Sequence, residues 1–434
     1  DVAIRALNWA LALEWIAGAQ YCEPEFWQHA NVALFDHGCF IYQNLEDKYE
    51  VTSNHFLSDV VGLFYLAAWF SDLPSGKTWQ EFCRDALERE IATQVLEDGA
   101  DFESSVPYHR LVTELFLGAA RLAEFGAAPL SKSYRRRLTG MVEYLLGVLR
   151  PDGLMPQCGD ADDGRLHIFS DYGKWVRQDP RHLLAPAAAL LGNRDWPRHC
   201  DESGAWEAYW WGYDPERVSC DSAAPLRNHR LYDQAGHAIY RDDTAYLLVT
   251  NSIVGTKGFG NHKHNDQLSF EFHADGRPLL VDPGSHVYTS DPASRNLFRA
   301  TAYHNTLEID GTEQNETNPE WLFRIMESKP PEHLAFDEGQ GQVDYRGRHF
   351  GYERLDHPVV HERIFRLFPE ERALLIADTV VGNGGHALRW HFHAAPGVRV
   401  PADRTPGAGM VLLEAAGTAY ALASLEQIPV LPAK

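Results

Sequence analysis

The first half of the chain carries apolar residues at the spacing of a helix. In DVAIRALNWALALEWIAGA, for example, Ile4, Leu7, Leu11 and Trp15 recur near a period of 3.6. The same pattern returns in HFLSDVVGLFYLAAWF, YHRLVTELFLGAARLAEF and YRRRLTGMVEYLLGVL. Loops containing Pro and Gly separate these stretches, and no short repeat of the solenoid kind is present. Successive helical hairpins of this kind favour an α/α toroid or a related helical array over residues 1–215.

From about residue 228 the period of the pattern changes to two. The alternating stretches are rich in β-branched and aromatic residues, and they include HAIYRDDTAYLLVTNS, QLSFEFHADGRPLLVDPG, HERIFRLFPEERALLIADTVVG and LRWHFHAAPGVRV. Many strands without intervening helices favour an antiparallel β-sandwich. The predicted fold class is therefore multidomain α+β, with a helical domain (an α/α toroid or a related array) over 1–215, a linker over 216–227 and an antiparallel β-sandwich over 228–434.

Composition and charge narrow the range of partners. With 434 residues, 44% of them hydrophobic, the chain is long enough for two sizeable cores. No apolar run is long enough to span a bilayer. The net charge of -22 argues against nucleic acid or an anionic membrane as a partner. The first residue is Asp1 rather than Met, which is compatible with the removal of upstream residues or a signal peptide.

The cysteines show no pattern typical of a metal site or a redox pair. There are six, all within the first 220 residues, with no CxxC pair and no regular spacing: Cys22, Cys39, Cys83, Cys158, Cys200 and Cys220. We expect mainly buried thiols, with a disulfide among them left open.

A cluster of histidines marks the start of the second half. His262 and His264 in GNHKHNDQLSFEF run into a strand pattern, and residues two apart on a strand point to the same face. His264 can be grouped with Asp282 in LLVDPGS and His304 in TAYHNTLEID, each near the end of a predicted strand. Two imidazoles and one carboxylate suit Zn²⁺. The alternative is that these side chains only bond one another or cap strands.

Three further polar clusters lie in the helical half. TSNHFLSD places Asn54 and His55 ahead of an apolar helix, where helix capping is the alternative to a functional role. DFESSVPYHRLVTE places Tyr108 near the first turn of another helix, where it could simply pack. The acidic turn GDADDGR, residues 159–165, could bind Ca²⁺ but lacks the full loop of an EF-hand, so a solvated turn, or one that shapes a cleft, is favoured.

Taken in order, these motifs resemble a known family. SNHF, DFESSVPYHRL, NHKHNDQLSFEF, LLVDPGS and AYHNTLEIDG resemble the heparinase II/III-like polysaccharide lyases, a group related to alginate and oligo-alginate lyases. The resemblance runs from Asn54 to Trp390. It implies an α/α toroid followed by an antiparallel β-sandwich, in agreement with the two patterns. The helical part is short for this family, so an N-terminal portion is expected to be missing or reduced.

The resemblance also implies a reaction, namely β-elimination at a uronic acid that leaves a 4,5-unsaturated end. The C5 proton is acidic enough to leave only when the neighbouring carboxylate is neutralised or hydrogen-bonded. By the family pattern, Asn54 and His55 do this, Tyr108 acts as general acid or as base, and His262 is the base for the opposite face. His264, Asp282 and His304 would hold one structural zinc ion, and a bulge or twist would separate the two neighbouring imidazoles.

The expected partner is an anionic polysaccharide. Residues near the motifs are expected to contact it: His109, Arg110, Lys263, Arg299 and Tyr303. Lys257 and Arg295 are further candidates for a local cationic groove, because at a Debye length of about 8 Å local charge outweighs the acidic average. We expect a bacterial periplasmic or secreted protein, with the cytoplasm and a homodimer left open.

Three other functions remain open from the residues alone. A toroid glycoside hydrolase acting on uronyl oligosaccharides would use paired carboxylates, such as Glu103 with Asp160 or Asp163, and would form no double bond. A cupin-like metal oxygenase would use the HxH motif with iron, although Glu271 lies farther along than a cupin prefers. A non-catalytic glycan-binding protein would bind polymer without turnover.

Overall fold

The computed structural model describes residues 1–18, 22–126, 129–161, 164–169, 176–200, 202–214, 226–326, 329–401 and 410–425. The chain divides into two compact units. The helical unit comprises Asp1–Leu146, Ala161–Ala224 and Gly255–His262, and the sheet unit comprises Gly147–Asp160, Pro225–Val254 and Lys263–Lys434. Most of the predicted linker, together with Asp163 and Cys220, lies outside the described residues.

Helices make up most of the first part of the chain. They are α1 (Val2–Ile16), α2 (Pro24–Gln43), α3 (Asn54–Trp69), α4 (Pro74–Gln94), α5 (Val106–Phe125), α6 (Lys132–Val148), α7 (Leu184–Leu191) and α8 (Glu202–Trp210). Helix α3 packs against α1, α2, α4 and α5. Both α3 and α5 are apolar on most of their surface, which is why they form the centre of the helical unit.

The second part of the chain is built from antiparallel strands. They are β1 (Asn228–Tyr232), β2 (His237–Arg241), β3 (Ala245–Thr250), β4 (Ser269–Ala274), β5 (Arg277–Leu280), β6 (Leu307–Ile309), β7 (Glu332–Gly339), β8 (Gln342–His349), β9 (Val359–Phe368), β10 (Ala373–Gly382), β11 (Leu388–Trp390), β12 (Met410–Ala415) and β13 (Thr418–Ala423). One short helix, α9 (Pro292–Phe298), lies between β5 and β6. Strands β1 to β5 form one sheet in sequence order, and β7 to β10 form a second.

The two larger sheets share one hydrophobic core. Phe270 and Phe272 of β4 and Phe365 and Leu367 of β9 belong to the same buried cluster, and the rings of Phe270 and Phe365 lie 5.3 Å apart. Strand β9 alternates buried and half-buried positions, as expected for a strand with one face on a core. The predicted antiparallel β-sandwich is confirmed.

Strand β4 is buried on both faces, unlike β9. Its second face carries Ser269, Glu271 and His273, which are polar and buried. The strand begins at Ser269, so His262 and His264 precede it in irregular chain. The expected placement of the two histidines on the strand is therefore wrong: β4 begins at Ser269, two residues after the alternating stretch starts at Gln267.

Two further features of the described residues concern the cysteines and the helices. Cys22, Cys39, Cys83, Cys158 and Cys200 are free thiols, and the last three are buried. Among the described helices, none is both long enough and apolar enough to cross a membrane.

Candidate active site and metal centre

Asn54 is the first residue of α3 and is held by a buried glutamate. The helix starts here because the Ser53 side chain caps it, accepting a hydrogen bond from the His55 backbone N–H at 3.3 Å. The Asn54 backbone N–H donates to one carboxylate oxygen of Glu103 at 3.0 Å. Asn54 Nδ2 donates to the other oxygen at 2.8 Å. Since a carboxylate only accepts, Glu103 fixes which way the Asn54 amide is turned.

Tyr108 lies in the first turn of α5. The side chain of Ser105 caps this helix by accepting from the Tyr108 backbone N–H at 3.2 Å, and Pro107 suits the first turn because it needs no N–H there. The Tyr108 ring is stacked on the His262 ring, with centroids 3.5 Å apart and planes inclined by 18°. Both side chains are buried.

The loop that carries His262 is tied to the segment before Tyr108. Thr256 donates its backbone N–H to the Phe102 carbonyl at 2.8 Å. Gly255, Thr256 and Lys257 all have positive φ, which is unusual for a β-branched residue such as Thr256. A side chain at Gly255 would meet Ser104 Oγ at 2.5 Å, so this contact requires glycine. The strained loop brings His262 back to the helical unit.

Four residues thus converge in the helical unit, and we refer to Asn54, Glu103, Tyr108 and His262 as the Asn54 cluster. His262 Nε2 lies 3.4 Å from Asn54 Nδ2 and 3.6 Å from a Glu103 carboxylate oxygen. Asn54, Tyr108 and His262 are predicted from the motifs. Glu103 is not predicted as their partner, and its only sequence signal is its place in the same stretch, DFESSVPYHR.

A second layer of buried groups supports Glu103. Its backbone N–H donates to the Asp101 carboxylate at 3.1 Å, and the Asp101 N–H donates to His109 Nδ1 at 3.0 Å. His109 Nε2 in turn donates to the Met141 carbonyl at 2.9 Å. Burial lowers the pKa of His109 to about 4, so its ring is neutral. Burial, and then the nearby Glu103 carboxylate, raises the pKa of Asp101 well above its usual value.

Two other residues named from the sequence have different surroundings in the helical unit. The side chain of His55 is 60% exposed, and its Nδ1 lies 2.9 Å from a Glu46 carboxylate oxygen. Arg110 is buried, donates to the Gly164 carbonyl at 2.6 Å and lies 3.5 Å from the Glu114 carboxylate. Roles of His55, His109 and Arg110 toward substrate stay predictions.

In the sheet unit the two cations expected to bind substrate are buried. Lys263 Nζ donates to Ser252 Oγ at 2.7 Å and to the Asp266 carboxylate. Arg299 donates to the Arg324 carbonyl at 3.0 Å, as well as to two asparagines. Tyr303 is half-buried, and its ring lies 5.0 Å from the Phe298 ring. Substrate contacts by Lys263, Arg299 and Tyr303 likewise stay predictions.

The predicted metal ligands come together in the sheet unit. One candidate ligand atom from each of His264, Asp282 and His304 lies within 4.8 Å of the others, and all three residues are buried. His304 Nδ1 donates to the Asp282 carboxylate at 2.7 Å. His264 Nδ1 and His304 Nε2 have no hydrogen-bond partner among the described residues. Two buried lone pairs beside a carboxylate fit a zinc ion.

A carboxylate and a guanidinium lie behind His264. Asp160 accepts a hydrogen bond from His264 Nε2 at 2.8 Å and pairs with Arg295 at 2.6 Å. Burial lowers the pKa of His264, and the bond to Asp160 offsets this only in part. Burial also acts to lower the pKa of His304, but the Asp282 carboxylate outweighs it and the pKa is raised. Asp160 and Arg295 are absent from the ligand set predicted from sequence.

This geometry weighs against two of the alternative functions. A cupin site needs both histidines of the HxH motif on one metal, whereas His262 belongs to the Asn54 cluster and His264 to the group around Asp282. A hydrolase needs a pair of available carboxylates. Glu103 is engaged by Asn54 and Asp160 by Arg295 and His264, while Asp163 lies outside the described residues.

Comparison with known proteins relates both parts of the chain to one family. The model of the heparinase II/III N-terminus matches residues 1–182, and the model described as heparinase II/III-like, C-terminal, matches residues 224–429. A heparin-sulfate lyase of Bacteroides stercoris is 22% identical over 366 residues, covering 80% of this chain and 47% of the relative. One of Bacteroides thetaiotaomicron is 21% identical over 411 residues, covering 92% and 53%. The chain therefore spans about half the length of these curated relatives.

Solved structures agree on the fold. A crystal structure of heparinase III superimposes with a TM-score of 0.73 and 16% identity, covering 97% of this chain and 65% of that one. The heparan sulfate lyase HepC of Pedobacter heparinus gives a TM-score of 0.64 with 18% identity, covering 95% and 59%. The predicted fold, a toroid followed by a β-sandwich, is confirmed. The two family matches together span nearly the whole sequence, and the chain belongs to the heparinase II/III family.

Proposed function

We propose that this chain carries the catalytic machinery of a polysaccharide lyase that cleaves a uronic-acid polymer by β-elimination. The observation that carries the proposal is the Asn54 cluster, in which the His262 imidazole stacks on the Tyr108 phenol ring and lies 3.4 Å from the Asn54 amide, all in the helical unit. The reaction has two requirements, activation of the C5 proton and proton transfer, and these groups can meet both.

The first demand is to make the C5 proton removable. The neighbouring carboxylate of the sugar must be hydrogen-bonded so that enolate-like charge can develop on it. Asn54 Nδ2 has two hydrogens, and Glu103 accepts only one of them at 2.8 Å. The second points toward His262 at a longer distance of 3.4 Å. We assign this second N–H to the sugar carboxylate.

The second demand is proton transfer on both sides of the bond that breaks. In a syn elimination Tyr108 would start as the phenolate, remove the C5 proton and return that proton to the leaving 4-oxygen. When His262 is the base, Tyr108 would start as the neutral phenol and give its own proton to that oxygen. His262 supplies an imidazole for a sugar whose C5 proton faces the other way. The face-to-face stack of the two rings, with centroids 3.5 Å apart, supports a shared role at one sugar.

Glu103 is the positioning residue of this set. It is buried, and its two carboxylate oxygens bind the Asn54 backbone N–H and Nδ2 at 3.0 and 2.8 Å. These bonds keep the amide from flipping, because the carbonyl end of Asn54 would otherwise face a carboxylate. Without that orientation Asn54 would present an acceptor, not a donor, to the substrate.

For the sheet unit we propose one structural zinc ion held by His264, Asp282 and His304. Two observations support this assignment: His264 Nδ1 and His304 Nε2 have no hydrogen-bond partner within the described ranges, and the Asp282 carboxylate lies close to both residues. A zinc ion there would stabilise the fold around strands β4 to β6 by linking chain segments far apart in sequence. No step of the elimination is assigned to it.

The substrate class follows from the relatives and from the reaction. Because the matching relatives are heparin-sulfate lyases, we propose a glycosaminoglycan of the heparin or heparan sulfate type as the first substrate to test. Alginate and uronate-containing bacterial exopolysaccharides follow. A periplasmic or secreted location would suit an enzyme acting on such polymers.

The test is incubation of the folded, zinc-loaded protein with this panel of polymers. A lyase creates a C4–C5 double bond that absorbs in the far ultraviolet, whereas a hydrolase creates none. We expect this absorbance to rise with at least one uronate polymer and with no neutral polymer. Failure with every uronate polymer would contradict the proposal, and binding without turnover would favour a glycan-binding function instead.

A further inference from the structure

Asp160 lies behind the proposed metal centre and contacts two buried side chains there, those of His264 and Arg295. Its carboxylate accepts from His264 Nε2 at 2.8 Å and from Arg295 Nη1 and Nη2 at 2.6 and 2.8 Å. All three side chains have an exposed fraction of 0%. Asp160 is not one of the three residues whose ligand atoms converge.

These contacts determine which nitrogen of His264 carries hydrogen. A carboxylate paired with arginine is ionised and only accepts, so the hydrogen lies on Nε2. A hydrogen on Nδ1 would be buried without an acceptor, since Nδ1 has no hydrogen-bond partner among the described residues. Arg295 Nη1 lies 3.3 Å from His264 Nε2 because both donate to the same oxygen of Asp160.

His304 is held in the same way as His264, with the roles of its two ring nitrogens exchanged. Asp282 accepts from His304 Nδ1 at 2.7 Å, while His304 Nε2 has no hydrogen-bond partner in the part of the chain that the structure describes. Each histidine is thus held by a carboxylate at one ring nitrogen, with a lone pair buried at the other. In metal sites such carboxylate–histidine pairs orient the ring and raise the basicity of the ligand.

Arg295 compensates the buried negative charge of Asp160, the second carboxylate near the proposed metal centre after Asp282. An uncompensated Asp160 charge would be costly to bury, and the bidentate guanidinium pairs it at close range. The charges of Asp160 and Arg295 cancel. The pair therefore orients the His264 ring through a hydrogen bond without adding net charge beside the metal.

We infer that Asp160 is a positioning residue of the metal centre, which fixes the tautomer and ring orientation of His264. The inference rests on the zinc site proposed above. It assigns a function to Asp160 in the acidic stretch GDADDGR, for which the sequence alone favours a solvated turn or one that shapes a cleft.

The experiment compares zinc affinity between wild type and Asp160→Asn, measured on metal-free folded protein against a competing chelator. Loss of the ionised acceptor should weaken zinc binding by about 10- to 100-fold. Asp378→Asn is the matched control, since Asp378 also accepts from a buried histidine, His361, and from Arg363, at 2.6 and 2.7 Å. Asp378→Asn should keep the wild-type zinc affinity, although both variants should lose stability without metal.

The second variant, Asp160→Glu, keeps the negative charge but displaces the carboxylate. We expect it to bind zinc more weakly than wild type as well. Wild-type affinity in a folded Asp160 variant would overturn the inference. Equal weakening in Asp160→Asn and Asp378→Asn would also overturn it, because any lost buried aspartate would then act alike. A wild-type protein that binds no zinc would remove the metal centre and this inference together, while the lyase assay tests the Asn54 cluster independently.

Discussion

His262 and His264 lie two positions apart in the chain and have different surroundings. In the helical unit, His262 is stacked on Tyr108, and its Nε2 lies 3.4 and 3.6 Å from Asn54 and Glu103. In the sheet unit, His264 is bound by Asp160 at 2.8 Å. The polar contacts of His262 are longer than a normal hydrogen bond or nearly so. His264 makes a short hydrogen bond to the Asp160 carboxylate, which also forms an ion pair with Arg295.

The difference matches two kinds of chemistry. An imidazole that gains and loses a proton needs contacts that can adjust, and such contacts are often long before substrate binds. An imidazole that holds a metal needs one tautomer and one ring orientation throughout. The division between the two units falls directly after His262, so the two histidines of one HxH motif belong to different units. The roles proposed for them differ accordingly.

Replacing the phenol should have the largest effect. Tyr108→Phe keeps the stack on His262 but removes the proton donor, so we expect lyase turnover to fall by about 10²- to 10⁴-fold. Zinc content should not change. The measurement is the rate of double-bond formation on the best substrate of the panel.

Tyr65→Phe is the control for this variant, because Tyr65 is also a tyrosine of the helical unit and its hydroxyl contacts His167 instead. It should keep near wild-type turnover. A Tyr108→Phe enzyme as active as this control would exclude the phenol from the reaction.

The two histidines can be separated by one substitution each. His262→Ala should lower turnover by about 10²- to 10³-fold while about one zinc per chain remains bound. His264→Ala should lose the zinc and, with it, thermal stability. Elemental analysis and turnover are measured on both proteins, so that each variant serves as the control for the other.

The opposite pattern would refute the division of roles. Full zinc content in His264→Ala would remove that residue from the ligand set. Loss of zinc in His262→Ala would mean that both histidines serve the metal.

Removing the charge of Glu103 should have a smaller effect on turnover. In Glu103→Gln the new amide can no longer accept from both Asn54 donors without turning an N–H toward one of them. Because misplacement of a catalytic group costs rate more than binding, we expect kcat to fall by about 10- to 100-fold with little change in KM. Steady-state kinetics on the same polymer measure both quantities.

Glu90→Gln is the matched control, since Glu90 is a buried glutamate of the same unit that accepts from Thr52 and Gln94. Its kcat should stay close to wild type. If the two variants lose kcat equally, the effect of Glu103 is one of general stability and the positioning role is wrong.

The smallest expected effect is on the free energy of unfolding at low pH, through His109, which lies behind Glu103 and Asp101. The pKa of His109 is lowered to about 4 in the fold, against an ordinary value of 6.5, so the unfolded chain takes up the proton first as the pH falls. Its contribution to stability is present above pH 6.5 and is lost as the pH falls toward 4. By pH 5 this loss amounts to about 2 kcal/mol.

His109→Gln should therefore be less stable than wild type at pH 7.5, yet lose about 2 kcal/mol less on transfer to pH 5. Urea unfolding of both proteins at the two pH values measures the difference. A variant that loses as much stability as wild type on acidification would contradict a neutral, buried His109.

Much of the molecule could be predicted from local patterns. The change of period near residue 228 predicts helices followed by a sandwich, and the motif order predicts Asn54, Tyr108 and His262 as one set. The ligand set His264, Asp282 and His304 is also predicted, and in the structure these three residues do converge. These features depend on periodicity and on residue types at fixed spacing, which a single sequence displays.

The partners of these residues could not be predicted in the same way. Glu103 meets Asn54 across 49 positions, and Asp160 meets His264 across 104. Arg110 and Lys263 stand beside motif residues in the sequence, but their buried side chains are engaged by Glu114 and Asp266. Nearness along the chain indicates which residues can share a site, but it does not indicate which way each side chain turns.

By itself, the sequence determined the succession of two kinds of secondary structure and the chemical groups available for proton transfer and metal binding. The reason is that helix and strand periods, caps and turns are local properties. Only the tertiary structure decided that His262 belongs to the Asn54 cluster and His264 to the proposed metal centre. That choice depends on where the strained loop at Gly255–His262 ends and on buried carboxylates distant in sequence, because a buried imidazole takes its role from the groups that contact it.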